Sequence, residues 1–131
     1  MFVCRTAPIV HRKDKRVLQA ANHIIEVHRK KHTGSKPYIL ATKLKPPVKF
    51  FIDDFHYHLN NKSLNDKVER YRLIPCVFEL LKFTDKLPQE KGSGKDNYVF
   101  RGQTPGGDCF TVVVRQETGG NYTLQSIHPK R

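Results

Sequence analysis

The chain has no run of apolar residues that approaches the length of a membrane-spanning helix, which excludes such a helix. Its opening Met-Phe-Val-Cys-Arg-Thr-Ala-Pro also lacks the extended apolar core of a secretion signal, so any export is expected to use another segment or route. Cysteine is scarce. Cys4, Cys76 and Cys109 are far apart and form no Cys-x-x-Cys pair. An odd, scattered set argues against a disulfide framework and against a zinc site. Cys76 and Cys109 lie in apolar runs and are expected as buried thiols, which fits a reducing site of action. There is no internal repeat and no low-complexity tract. Acids are outnumbered, with 12 Asp/Glu against 24 Lys/Arg.

The resulting net charge of +12 is uneven. Residues 1–45 carry eleven Lys/Arg against Asp14 and Glu26, whereas residues 46–91 are nearly balanced and residues 92–131 are mildly basic. A concentrated basic surface attracts polyanions through counterion release. Nucleic acid is the leading partner and an acidic protein the second; a soluble protein with an idle basic face is the bland alternative. At 131 residues, 37% of them hydrophobic, the chain suffices for one domain with a modest core.

The last third is the most legible part. Asn97-Tyr-Val-Phe-Arg-Gly-Gln, Cys109-Phe-Thr-Val-Val-Val-Arg-Gln and Asn121-Tyr-Thr-Leu-Gln-Ser-Ile-His are β-branched and aromatic runs separated by two Gly-Gly turns. This predicts an antiparallel meander. Val17, Leu18, Ala21, Ile24, Ile25 and His28 recur at helical spacing, predicting a helix from about Arg12 to His32, with Thr33-Gly34-Ser35 as its stop. Residues 1–10 suit a strand or an arm, and Pro37 to Thr42 a short strand or extended connection. Val48, Phe51, Ile52, Phe55 and Leu59 give a helical stripe ending at Asn60-Asn61-Lys62. Ser63 with Asp66 resembles a capping box, and the helical period continues to Phe83 with a kink or restart at Pro75. Lys86 to Lys95 is expected as a loop. The fold class is therefore α+β: one domain in which N-terminal helices pack on a C-terminal antiparallel meander of three to four strands. It comprises a basic helical portion (1–45), helices (46–91) and the meander (92–131).

Seven histidines are many for this length. His28 and His32 are one turn apart on the first helix, and His23 faces away. A pair of this kind can hold a metal, but no acid stands between them and no third ligand is evident. His28 suits either a general base beside a cleft or a half-buried structural role. His56 and His58 favour structural roles. Strict alternation in the last strand puts Tyr122, Leu124, Ser126 and His128 on one face and Thr123, Gln125 and Ile127 on the other. Each face mixes polar with apolar residues, as a partly open, site-bearing sheet does. RNA cleavage needs a base for the 2′-hydroxyl, an acid for the 5′-oxygen and a cation for the phosphorane. Arg101, Arg115, Ser126 and His128 on neighbouring strands supply such groups, arginine matching phosphate with its fork. Arg29, Lys30, Lys31, Lys36, Lys43 and Lys45 form the expected polyanion-binding patch. A helix C-terminus also welcomes cations for its own sake.

The runs Arg70-Tyr-Arg-Leu-Ile-Pro-Cys-Val-Phe-Glu-Leu-Leu, Asp85-Lys-Leu-Pro, Tyr98-Val-Phe-Arg, Phe110-Thr-Val-Val-Val-Arg and Leu124-Gln-Ser-Ile-His-Pro resemble the barnase–EndoU–colicin–RelE superfamily. These are small ribonucleases of bacterial toxin modules and phages. The helix phrase Asn22-His-Ile-Ile-Glu-Val-His28 is similar to the histidine-bearing helix of some members. The resemblance implies metal-independent endoribonuclease activity, often on tRNA, with His28, Arg101, Arg115, Ser126 and His128 as catalytic candidates and no cofactor. Many members carry tyrosine where this chain has His128. It further implies action in a cell's cytoplasm, in some cases after delivery within a larger protein, and an acidic immunity or antitoxin protein as partner. The competing expectation is a non-catalytic RNA- or DNA-binding module, stacking bases on Tyr98 and Tyr122. An ADP-ribosyltransferase is a weaker third, because Glu117 is the only acid after Asp108.

Overall fold

The computed structural model describes residues 1–32, 34, 36–53, 55 and 63–129. In chain order its elements are β1 (Phe2–Val3), α1 (Asp14–Lys30), β2 (Tyr38–Ala41), β3 (Val48–Phe51), α2 (Leu64–Arg72), α3 (Ile74–Phe83), β4 (Glu90–Lys91), β5 (Asn97–Gln103), β6 (Cys109–Gln116) and β7 (Tyr122–Pro129). The meander forms as its turns demand. Gly107, Gly119 and Gly120 take positive φ, and β5, β6 and β7 pair antiparallel. The class is α+β, but the sheet is larger than three or four strands and is mixed. Its order is β1-β5-β6-β7-β3-β2, with β4 also on the outer edge of β5. β1 runs parallel to β5, and β3 parallel to β7. Among the described residues no helix is long and apolar enough to cross a membrane.

The largest correction falls on Val48–Phe51, which is a strand rather than the start of a helix, whereas Phe55 of the same expected stripe is helical. Val48, Phe50 and Ile52 are buried, a two-residue alternation. The same stretch fits a helical stripe if Phe51 is counted instead of Phe50, and pairing with β2 on one side and β7 on the other decides the matter. Phe50 and Phe51 lie opposite Tyr122 and Thr123 of β7. The expected loop at Lys86–Lys95 likewise contains β4. His56, Tyr57, His58, Leu59, Asn60, Asn61 and Lys62 lie outside the described residues, as do Thr33, Ser35 and the Lys130–Arg131 tail.

The helices follow their local signals. Ser63 caps α2, its hydroxyl accepting the Asp66 N–H at 3.4 Å. α2 stops at Arg72 and α3 restarts with Pro75 in its first turn, where a missing N–H costs little. Val17, Ala21 and Ile25 of α1, Val68 and Tyr71 of α2, and Ile74, Val77, Leu80 and Leu81 of α3 are buried. They face Phe50, Phe100, Phe110, Val112, Val114, Leu124 and Ile127 from the sheet. Gly102 lies across from Phe110, whose ring occupies the space of a side chain: a Cβ there would overlap Phe110 Cζ. Gly102→Ala is therefore expected to lower stability by about 1–3 kcal/mol, as overpacking does, visible as a lower urea midpoint.

The N-terminal arm is fastened to the helices through its backbone groups. The Glu79 carboxylate accepts the N–H of Arg5 at 2.8 Å and of Thr6 at 2.7 Å, while Arg72 donates to the carbonyls of Ile9 and His11. The Cys4 thiol donates to the Cys76 carbonyl and the Cys76 thiol to that of Thr6. Burial pushes Cys4 up to about 12 and Cys76 up to about 11, so both stay protonated and unreactive. Cys109 is only half-buried, contrary to the expectation from its apolar run. Burial alone would raise Glu79, but the hydrogen bonds from Thr6 and Arg5 and the charge of Arg5 together hold it below the usual carboxylate range. A depressed carboxylate contributes stability above its unfolded pKa, about 4.3, and that contribution is lost as pH falls through the folded value. Glu79→Gln is expected to flatten the fall in stability below about pH 4, measured as urea midpoint against pH.

Candidate active site

The helices cover one face of the sheet, and the other is open. On the open face β5 presents Asn97, Val99 and Arg101, and β6 presents Thr111, Val113 and Arg115. β7 reaches the same face by an irregularity. Val113 pairs with Ser126 but Val114 with Leu124, so Gln125 is an extra residue, a β-bulge. Tyr122, Leu124 and Ile127 therefore point into the core, while Ser126 and His128 turn outward. The mixed faces expected from strict alternation are in fact separated, by a one-residue shift midway along the strand.

Ser126, His128 and Arg101 come together here around an open recess of about 750 Å³, with Asn97, Thr111 and Gln125 also in its wall. Thr111 stands between Arg101 on one neighbouring strand and His128 on the other. His128 is held at both ring nitrogens. Nδ1 lies 3.1 Å from Arg70 Nη1, and Nε2 lies 2.9 Å from Ser126 Oγ. A guanidinium only donates, so Nδ1 accepts and the ring proton sits on Nε2, aimed at Ser126. Arg70 comes from α2, is buried, and also donates to the Ile127 carbonyl. A chain of donors thus runs from Arg70 through His128 to Ser126, whose own O–H remains to donate into the recess. The Gln125 Nε2 is buried and has no hydrogen-bond partner among the described residues, a further donor in the wall.

The two strand arginines each hold a carboxylate. Arg101 makes a two-pronged pair with Glu90, Nε to Oε2 at 2.8 Å and Nη2 to Oε1 at 2.6 Å. These hydrogen bonds keep Glu90 ionised to below the usual carboxylate range. Arg115 donates to Glu117 at 3.0 Å, and the Thr123 hydroxyl donates to the same oxygen at 2.7 Å. The Thr123 bond first, then Arg115 and the charge of Lys36, hold Glu117 low against the upward pull of burial. Arg115 shares the outward face but stands beyond the recess wall, toward β3 and β2.

The other expected site residues lie elsewhere. His28 is in the helical layer, its Nδ1 donating to the Ile24 carbonyl at 3.0 Å and its ring edge-on to Phe78 at 4.9 Å. It is therefore not brought to the strand residues, and the half-buried structural role fits its contacts. Arg29 pairs with Glu26 and Asp53, tying α1 to the segment after β3. Lys30, Lys31, Lys36, Lys43 and Lys45 are exposed in two groups. Lys36 acts on Glu117 at one end of β2, whereas Lys43 lies over Phe83 at the other. Tyr98 and Tyr122 point to the core side, in edge-to-face contact with each other at 6.2 Å, and are not free to stack bases. Among the described residues no three His, Cys, Asp or Glu side chains gather as metal ligands.

Arg70 and Glu90 were not singled out from sequence. The available signals were an arginine beside the apolar positions Val68 and Tyr71, and an acid eleven residues before Arg101. Comparison with protein-family models, curated proteins and solved structures returned no match.

Proposed function

We propose that the protein is a metal-independent endoribonuclease that cleaves RNA, tRNA among its substrates, by attack of the 2′-hydroxyl, and that the open sheet face is its cleavage site. The observation that carries this is the Arg70–His128–Ser126 donor chain opening beside Arg101 and its carboxylate partner. In the proposed step the Glu90 carboxylate takes the 2′-hydroxyl proton. The 2′-oxygen bonds to phosphorus and the bond to the 5′-oxygen breaks, leaving a 2′,3′-cyclic phosphate and a 5′-hydroxyl protonated from solvent. Arg101 and the polarised Ser126 hydroxyl steady the charge on phosphate and leaving oxygen. Arg101 and Arg115 exchange exposed carboxylates for phosphate, a swap made easy by the small net worth of surface ion pairs.

The helix-backed sheet with polar groups on its free face supports the resemblance to the barnase–EndoU–colicin–RelE superfamily, and with it a bacterial toxin or phage-type module acting in the cytoplasm. The charge of +12 supports an acidic neutralising protein as partner. A non-catalytic RNA- or DNA-binding module is the second reading, favoured by the ion pairs that already occupy both strand arginines.

Incubation with total tRNA in chelator, followed by a denaturing gel, separates the two. Discrete fragments ending in cyclic phosphate are expected. Intact tRNA that shifts on a native gel, salt-sensitively, would instead establish the binding module.

A further inference from the structure

The open sheet face carries a second feature, at its β2–β3 edge, that the proposed cleavage step does not use. Tyr38 of β2 and Phe51 of β3 are cross-strand partners on this face, only partly buried, with rings edge to face at 6.2 Å. The His32 ring lies 4.1 Å from Tyr38, and the Lys49 ammonium sits 4.7 Å from the centre of the Tyr38 ring. The strand register makes these residues one end of a continuous row: Tyr38, Phe51, Thr123, Arg115, Asn97. With strands about 4.8 Å apart, Phe51 stands about 10 Å from Arg115 and Tyr38 about 14 Å from it. The surroundings are basic, with Lys36 and Lys49 at hand and Lys30 and Lys31 at the end of α1. The acids placed near them, Glu117 and Asp53, are each paired with an arginine.

We propose that Tyr38 and Phe51, with His32 and Lys49, form a stacking subsite for one unpaired base of a strand whose phosphate lies at Arg115. The strand's path rests on the ribonuclease reading, but the stacking does not. Aromatic rings beside lysines at the end of a line of phosphate-binding groups match the two surfaces of a nucleotide, the base's π-face and the phosphate charge. Lys49 has a flexible stem, so its ammonium swings to the phosphate as the base takes the ring face. A duplex keeps its base faces covered, so the subsite selects RNA that is single-stranded at this position, such as a loop.

The test uses a labelled 2′-deoxy oligonucleotide of about eight nucleotides, which lacks the attacking hydroxyl, and its blunt duplex, with binding followed by anisotropy. The single strand is expected to bind more tightly than the duplex. Phe51→Leu, which keeps the bulk but loses the ring, should weaken single-strand binding about ten- to a hundredfold. The chain has no tryptophan, so the Tyr38→Trp variant places a lone indole at the subsite, and its emission should be quenched as the oligonucleotide saturates. Unchanged affinity in Phe51→Leu, with unchanged indole emission, overturns the subsite. If those two responses appear while RNA is never cleaved, the subsite stands and the ribonuclease reading fails. If RNA is cleaved and both responses are absent, the subsite alone fails.

Discussion

His128→Ala is expected to slow RNA cleavage by about a hundred- to a thousandfold while the protein stays folded, because the Ser126 hydroxyl that faces the developing charge loses the donor that polarises and places it. The ring is exposed, so little packing is lost. What disappears is the Nε2–H that polarises the Ser126 hydroxyl at 2.9 Å. Ser126→Ala should cause a loss of the same order, and the double variant hardly more, because two members of one chain do not act additively. Single-turnover cleavage of tRNA, alongside urea melts of each variant, checks this. Wild-type rates in both single variants would remove the recess from the mechanism, whatever the fate of the ribonuclease assignment. The same measurement on His28→Ala should show no comparable loss in rate, since that ring is committed to Ile24 and Phe78 in the helical layer.

How far such a site can be read from sequence depends on the range of the interactions that build it. The meander and the α2–α3 restart were legible because their causes are local: glycines at positive φ, a proline in a first helical turn, a serine cap. Arg101, Ser126 and His128 were legible as chemistry-bearing types on adjacent strands. The face they share was not, because it depends on the Gln125 bulge. The mixed polarity of both faces was the visible trace of that bulge, and a period of two cannot say where an extra residue enters. β3 escapes for a related reason: a stretch of five apolar-leaning residues fits both periods, and of its two pairing partners β2 carries only a short, weakly marked run while β7 lies more than 70 residues away. The two roles open to His28 are not separable in sequence, because a histidine at the margin of an apolar helical stripe looks the same whether it faces a cleft or, as here, a phenylalanine. Arg70 makes its contacts with residues 57 and 58 positions distant, and nothing local announces them.

Arg70 is nevertheless where stability and chemistry meet, and its replacement has the second large expected effect. Arg70→Met keeps the length of the side chain but removes the donors to the Ile127 carbonyl and to His128 Nδ1. Leaving a buried carbonyl without its partner costs about 1–3 kcal/mol, which should appear as a lower urea midpoint. The rate should also fall, by roughly ten- to a hundredfold at a temperature where the variant is fully folded, as expected for loss of a charge-assisted hydrogen bond that positions a reacting group. Without Arg70 the ring is free to place its proton on Nδ1, which turns an acceptor toward Ser126 and reverses the donor chain. Arg70 touches no substrate in this scheme, so its effect must pass through His128. A double-variant cycle resolves that: Arg70→Met should slow the wild-type background but not the His128→Ala background, while destabilising both equally. Equal slowing in both backgrounds would mean that Arg70 acts by holding the β7 edge in place. Arg70→Lys, which keeps the charge but loses the planar fork, should recover only part of either effect, because one ammonium cannot reproduce the fixed geometry that serves the carbonyl and the ring together.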